Sequence, residues 1–281
     1  MIKLLFVVML VAALSFGADD GCTDSSVGID PGTSGSDDIT LTVINDWTLA
    51  GGTKALGLDV FEGTEVYILG ADNTNMHIQA YSTSGTPVGT LDLSAANASC
   101  FGVAWNDNTD TEGYYTDDWA DAVLYYTEDF GSTWTTVTNP ASNQARGMAF
   151  DGVDYWETNG NGGGLWRFQP GVGEENIAIP EVPTQPSGVA VFPYGGNLGV
   201  AVTAYNTLNI YFYEWDGSTM SFLGSAACPG TVGSSFGLAY SSSNGHMYWS
   251  YSDGSNNHLA ELSFTITALE RSSWGSIKTS F

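Results

Sequence analysis

Positive charge is scarce in this chain: 281 residues carry 6 lysines and arginines against 31 aspartates and glutamates, a formal net charge of −25. Such a surface repels phosphate backbones and anionic membranes, so nucleic acid and anionic membranes are poor partners, and it gathers cations. Histidine is also sparse. His77, His246 and His258 lack metal-ligand spacing, and no HExxH, CxxC or phosphate-cradling loop occurs, which makes them surface or hairpin residues. Three cysteines, Cys22, Cys100 and Cys228, allow at most one intrachain disulfide; a Cys100–Cys228 pairing is open at this level. Beyond the first 18 residues no stretch approaches the roughly 20 apolar residues of a spanning helix. Helix-period segments are few and glycines number 35, so strands must fill the chain.

The N-terminus places one basic residue, Lys3, before an apolar run that ends in small residues at Gly17 and Ala18. That is the layout of a cleavable export signal, residues 1–18, and it predicts an extracellular or cell-surface location. Cleavage would remove one lysine and no acid, leaving a formal charge of −26. Asp19-Asp20-Gly21 before Cys22 does not make a lipobox. Residues 19–38, rich in Asp, Ser, Gly and Thr, have little to bury and predict a disordered acidic leader.

One short pattern recurs five times, as Leu56-Gly57-Leu58-Asp59-Val60, Phe101-Gly102-Val103-Ala104-Trp105, Arg146-Gly147-Met148-Ala149-Phe150, Ser187-Gly188-Val189-Ala190-Val191 and Phe236-Gly237-Leu238-Ala239-Tyr240. The glycines are 45, 45, 41 and 49 positions apart, close to the period of a four-stranded propeller blade. Small residues alternate with apolar ones, as on a strand with one crowded face, which predicts the innermost strand of each blade. The last interval holds three strands, and Ile39 to Leu49 is free to supply its fourth. Closing the ring in that way removes two exposed sheet edges. The expectation is therefore an all-β propeller over 39–267, of five four-stranded blades; six also fits if one is degenerate.

Thr127-Glu128-Asp129-Phe130-Gly131-Ser132-Thr133-Trp134 matches S/T-x-D-x-G-x-T-W. In a tight hairpin Asp129 accepts the free N–H groups, Gly131 tolerates positive φ, and Trp134 opens the next strand with a large ring, while Thr127 and Thr133 frame the turn. The stretch resembles the Asp box of BNR-repeat β-propellers, a set that includes sialidases, some plant-polysaccharide hydrolases and many non-catalytic secreted or receptor domains. Sialidases of that set bind a carboxylate with three arginines. The propeller body here has Arg146 and Arg167, so sialidase activity is excluded.

Arg146 is a charged exception in an otherwise largely apolar column, either satisfied by a nearby acid or in contact with a ligand. Asp59 is a similar exception in a column of alanines. Asn108, Asp110 and Glu112 followed by Gly113 resemble the start of a calcium loop, but its closing position falls on Trp119 rather than Asp118. Calcium is thus a candidate cofactor and a solvated acidic loop the alternative. Tyr114, Tyr115 and Trp119 beside those acids are candidates for stacking on sugar rings. Gly233-Ser234-Ser235-Phe236-Gly237 matches G-x-S-x-G, yet no strand–turn–helix surrounds it, so it is a chance match.

Residues 268–281 set Leu269, Trp274, Ile277 and Phe281 apart like one side of a short helix and hold Arg271 and Lys278. This tail resembles short C-terminal endings of exported proteins from uncultivated bacterial lineages, which implies a sorting or surface-attachment signal. The functional expectation is a secreted, non-catalytic propeller that binds a glycan or an extracellular protein. The alternatives are a polysaccharide hydrolase or lyase using channel carboxylates and a self-associating structural subunit.

Overall fold

The computed structural model describes residues 38–96, 99–106, 113–129, 131–161 and 164–267. The expected export signal, most of the acidic leader, Cys22 and the C-terminal tail lie outside the described residues. Strand β1 (Asp38–Thr48) comes first. Blade 1 is β2 (Leu58–Glu62), β3 (Val66–Asp72), β4 (His77–Ser82) and β5 (Pro87–Asp92), and blade 2 is β6 (Val103–Asn106), β7 (Gly113–Asp117), β8 (Val123–Thr127) and β9 (Thr135–Thr138). Blade 3 is β10 (Ala145–Phe150), β11 (Tyr155–Asn159), β12 (Gly164–Gln169) and β13 (Gly173–Ala178). Blade 4 is β14 (Pro186–Tyr194), β15 (Asn197–Ala204), β16 (Asn209–Trp215) and β17 (Met220–Ala227). Blade 5 has three consecutive strands, β18 (Ser234–Tyr240), β19 (Met247–Ser252) and β20 (Asn257–Thr267), and takes β1 as its outer strand. The β1–β20 pairing runs antiparallel from Asp38↔Thr267 to Thr48↔His258. The chain is thus a five-bladed β-propeller closed by its first strand.

The repeated glycine has a steric cause. The first strands of the five blades touch one another in a closed ring around the axis. A β-carbon on Gly102 would lie 2.1 Å from the Arg146 carbonyl oxygen, and one on Gly237 would lie 2.6 Å from the Leu58 nitrogen. Equivalent collisions with the next blade's backbone meet Gly57, Gly147 and Gly188. Alternate positions along a strand face the same neighbour, so four of the five glycines are followed two residues later by alanine, and Gly57 by Asp59.

Apart from a small cluster of Leu56, Phe101 and Phe236, the hydrophobic core lies between blades, one cluster per gap. Phe212 and Trp249 sit between blades 4 and 5, Trp156 and Tyr213 between 3 and 4, and Ile68 and Tyr248 between 1 and 5. Ile78 and Val103 fill the gap between blades 1 and 2, and Leu124 and Met148 that between 2 and 3. Cys100 and Cys228 belong to different gaps, and both are free and buried, so they form no disulfide with one another. Burial pushes both thiols up, that of Cys228 to about 12, which leaves them inert.

The β8–β9 hairpin is held by side chains. Thr127 Oγ1 donates to Asp129 Oδ1 at 2.9 Å and accepts from the Gly131 N–H at 2.8 Å. Asp129 accepts from the Thr133 N–H at 2.8 Å and from its hydroxyl at 2.7 Å, and Gly131 has φ of +85°. Trp134 is partly buried against the cluster between blades 1 and 2. Thr127 itself is 2 % exposed. Thr127→Val keeps the shape, strips the Gly131 N–H of its acceptor, and should cost about 1–2 kcal/mol in urea unfolding. An unchanged midpoint would show that the hydroxyl does not hold the turn.

Candidate functional site

Because the five first strands run the same way along the axis, one mouth of the channel is rimmed by their C-terminal ends and the other by their N-terminal ends. The C-terminal mouth holds a cavity of about 420 Å³ to which every blade contributes lining residues. Its ring is Trp105, Phe150, Tyr240, Val60 and Val191, the residues that directly follow the small position of the repeat. Asp59 occupies that small position in blade 1, where the others have Ala104, Ala149, Ala190 and Ala239. It accepts from the Val60 N–H at 2.8 Å and, across the gap, from the Trp105 N–H at 2.5 Å. These bonds fix the carboxylate in the lining of the cavity.

Two further acids line the cavity and both have structural partners. Glu62 accepts from the Ser241 hydroxyl at 2.6 Å, the Ser242 hydroxyl and the Ser243 N–H at 3.0 Å, tying blade 1 to blade 5. Burial raises its pKa, but those hydrogen bonds together outweigh it, so the net shift is downward and Glu62 stays ionised. Asp151 accepts from the Val153 and Asp154 N–H groups and from Trp156 Nε1. No lysine, arginine or histidine lines the cavity among the described residues.

An apolar plug lies at the N-terminal mouth. Leu56, Phe101 and Phe236, from blades 1, 2 and 5, meet across the axis, with half-buried Trp119 and Tyr205 against them. Arg146 completes it from blade 3, its guanidinium 5.4 Å from the Phe101 ring centre and 5.3 Å from that of Tyr205. Burial lowers its pKa, so the charge is poorly solvated. The acid partner that the sequence offered Arg146 is not there: among the described residues no carboxylate comes within ion-pairing distance. Arg167, by contrast, pairs with Asp154 and with Glu175 at 3.7 Å.

Beside the plug lie two buried carboxyls that sequence reasoning did not single out. Asp117 accepts the Phe101 and Gly102 N–H groups at 2.7 Å each through Oδ1, while its buried Oδ2 has no partner. Glu157 accepts from Asn139 Nδ2 at 3.0 Å, and its Oε2 is likewise unpartnered. Burial pushes Asp117 up to about 8, and burial together with the Asp117 charge raises Glu157 well above the usual carboxylate range.

Of the residues picked out in the sequence, Arg146 and Trp119 come together at the plug and Asp59 stands at the opposite mouth. Tyr114 and Tyr115 are on β7, paired with Trp105 and Ala104. Asn108, Asp110 and Glu112 lie outside the described residues. Asp118 is buried and accepts from the Ala120 N–H at 2.9 Å and the Ser99 N–H at 3.5 Å. Among the described residues no three His, Cys, Asp or Glu side chains converge as a metal set. Ser235, the serine of the G-x-S-x-G match, is buried and accepts from Trp249 Nε1 at 2.9 Å within β18, with no helix after it. No helix among the described residues is long and apolar enough to cross a membrane.

No family model matches this sequence, and no curated protein matches it. Solved structures do. Glutaminyl cyclase of Myxococcus xanthus is similar over 81 % of this chain and 97 % of its own, at 15 % identity and a TM-score of 0.58. A gluconolactonase from Xanthomonas campestris is similar over 83 % and 90 %, at 14 % identity and a TM-score of 0.51. A chain of a nidogen/laminin complex is similar over 71 % and 73 %, at 14 % identity and a TM-score of 0.52. The likeness is one of fold. Architecture of this kind hosts unrelated activities, so function must be argued from the site.

Proposed function

We propose that this protein is an exported propeller that binds a small organic cation, such as a protonated or quaternary amine, in its C-terminal mouth. One observation carries the reading: a cavity walled by Trp105, Phe150 and Tyr240 also has the hydrogen-bonded Asp59 carboxylate in its lining and, among the described residues, no basic side chain. Its volume suits a small molecule. Aromatic faces attract cations, and a carboxylate in a partly desolvated cavity strengthens that preference. The export-signal pattern and the −25 charge fit a protein that works outside the cell and gathers cations.

A glycan, the expectation from sequence, lacks this support, because Trp119 is packed into the plug rather than presented as a platform. Hydrolysis by paired channel carboxylates needs one member held neutral. In the cavity Glu62 is held below its ordinary range instead. Asp59→Asn preserves shape and hydrogen-bond acceptors but removes the charge. Titration with benzyltrimethylammonium, followed by tryptophan fluorescence, should show the native protein binding at least about tenfold tighter than this variant. Equal affinities would remove Asp59 and the cavity from the reading.

A further inference from the structure

The opposite mouth has a chemistry of its own. In a chain with 31 acids the one arginine at the plug has none of them as a partner among the described residues. Arg146 is 7 % exposed, so its charge has lost most of its water, and the nearby Asp117 acts on it without forming an ion pair. Its Nε is buried without a hydrogen bond, and its Nη1 reaches the Gln185 carbonyl at 3.5 Å, an oxygen that already accepts the Tyr205 N–H at 3.0 Å. A second orphan stands in the same column of the repeat, one blade on: the Ser187 hydroxyl is fully buried and has no partner. Its backbone packs on Gly147, the neighbour of Arg146. Backbone strain gathers on this face as well. The four non-glycine residues with positive φ among the described residues, Met76, Ser142, Gln144 and Gln185, all lie in loops at this end of the blades.

We propose that the N-terminal mouth is a binding site for a small carboxylate, with Arg146 as the positive fork, Ser187 as a hydroxyl donor, and Phe101 and Tyr205 as flanking rings. A single planar guanidinium matches a single planar carboxylate in charge and shape, whereas a phosphate dianion would leave a charge uncompensated. The Phe101 and Tyr205 rings beside the guanidinium favour an anion attached to an apolar or aromatic body. Gly160 is what lets the guanidinium lie here, since a β-carbon on it would fall 2.5 Å from Arg146 Nε. The site is separate from the Asp59 cavity, and the five-glycine waist stands between them.

The test is calorimetric titration of the full chain with benzoate, with acetate and sulfate as comparisons. Native protein should bind one benzoate saturably, acetate more weakly and sulfate least. Arg146→Gln should abolish binding, Arg146→Lys should weaken it about tenfold or more, Ser187→Ala should weaken it several-fold, and Asp59→Asn should leave it unchanged. Melting curves check that each variant is folded, and benzoate should raise the melting temperature of native protein but not of folded Arg146→Gln. Should Arg146→Gln fail to fold, Arg146→Lys decides, because it keeps the charge and loses the fork. Absence of saturable binding to native protein, benzoate affinity unchanged in a folded Arg146 variant, sulfate binding as tight as benzoate, or loss of binding in Asp59→Asn would each overturn the proposal. A failure of the amine titration at Asp59 leaves this result untouched, since the two probes have opposite charge and separate sites.

Discussion

Gly102→Ala is expected to destabilise the propeller on the order of 3 kcal/mol or more, enough to leave much of the protein unfolded at mild temperature. The added carbon would lie 2.1 Å from the Arg146 carbonyl oxygen and 3.2 Å from Asp117 Oδ2. The nearest obstacle is backbone, so no rotamer change relieves it. Moving β10 away would open the waist and pull on the core between blades 2 and 3, where Ala104 meets Met148. Gly89 is the control. It lies on the outer strand β5, where an added β-carbon meets nothing within 4 Å, so Gly89→Ala should be nearly neutral. Urea midpoints of the two variants check the pair. Similar losses would mean that glycine content matters rather than the closeness of the five inner strands.

The second large effect is a loss of stability as pH rises, caused by Asp117 and Glu157. Folded Asp117 titrates near about 8 because burial disfavours its charge more than the two N–H donors favour it; the unfolded chain titrates near 3.8. Glu157 shifts in the same direction. Between these limits the folded state holds protons that the unfolded state has released. The stabilisation is therefore complete below the unfolded values and is lost as pH climbs through the folded ones. At about 1.4 kcal/mol per pKa unit this amounts to a few kcal/mol between pH 5 and 8.5.

Geometry says why Asp117 tolerates being neutral. In blades 3 and 4 the corresponding hydroxyls clip inner strands together. Thr158 accepts from the Gly147 N–H at 3.0 Å and donates to the Ser187 carbonyl at 2.8 Å, and Thr203 accepts from Gly188 at 2.8 Å and donates to Phe236 at 2.5 Å. Asp117 likewise accepts from Gly102, and a proton on Oδ2 would face the Arg146 carbonyl, since both oxygens crowd the same side of Gly102. Asp117→Asn carries a permanent donor there. It should equal the native protein at pH 5 and exceed it in urea midpoint at pH 8.5, with Glu157→Gln removing the remaining slope. Native stability that does not fall with pH, or the same slope in Asp117→Asn, would contradict this account.

The architecture was legible because each of its signals is local and repeats. A glycine that must let inner strands touch recurs once per blade, and the strand missing from the last interval was visible as a spare at the other end of the chain. Asp59 and Arg146 stood out in the sequence for the same reason, as exceptions within columns that the repeat itself defines. Asp117 did not stand out. Asp117 and Thr203 each follow their blade's glycine by 15 residues but Thr158 follows by 11, and a carboxylate does not look like a hydroxyl, so no column of the sequence sets Asp117 beside both threonines.

Sequence by itself determined an all-β ring of repeated blades, with five the expected number, its closure and the positions where a charge breaks the pattern, because strand periodicity and steric crowding act within each repeat. Tertiary structure alone decided that one mouth is an open cavity and the other a plug, and that Arg146 meets no acid while Arg167 meets two. Those outcomes depend on which side chains from blades some 45 residues apart converge on the axis, and no local rule of spacing or composition records that convergence.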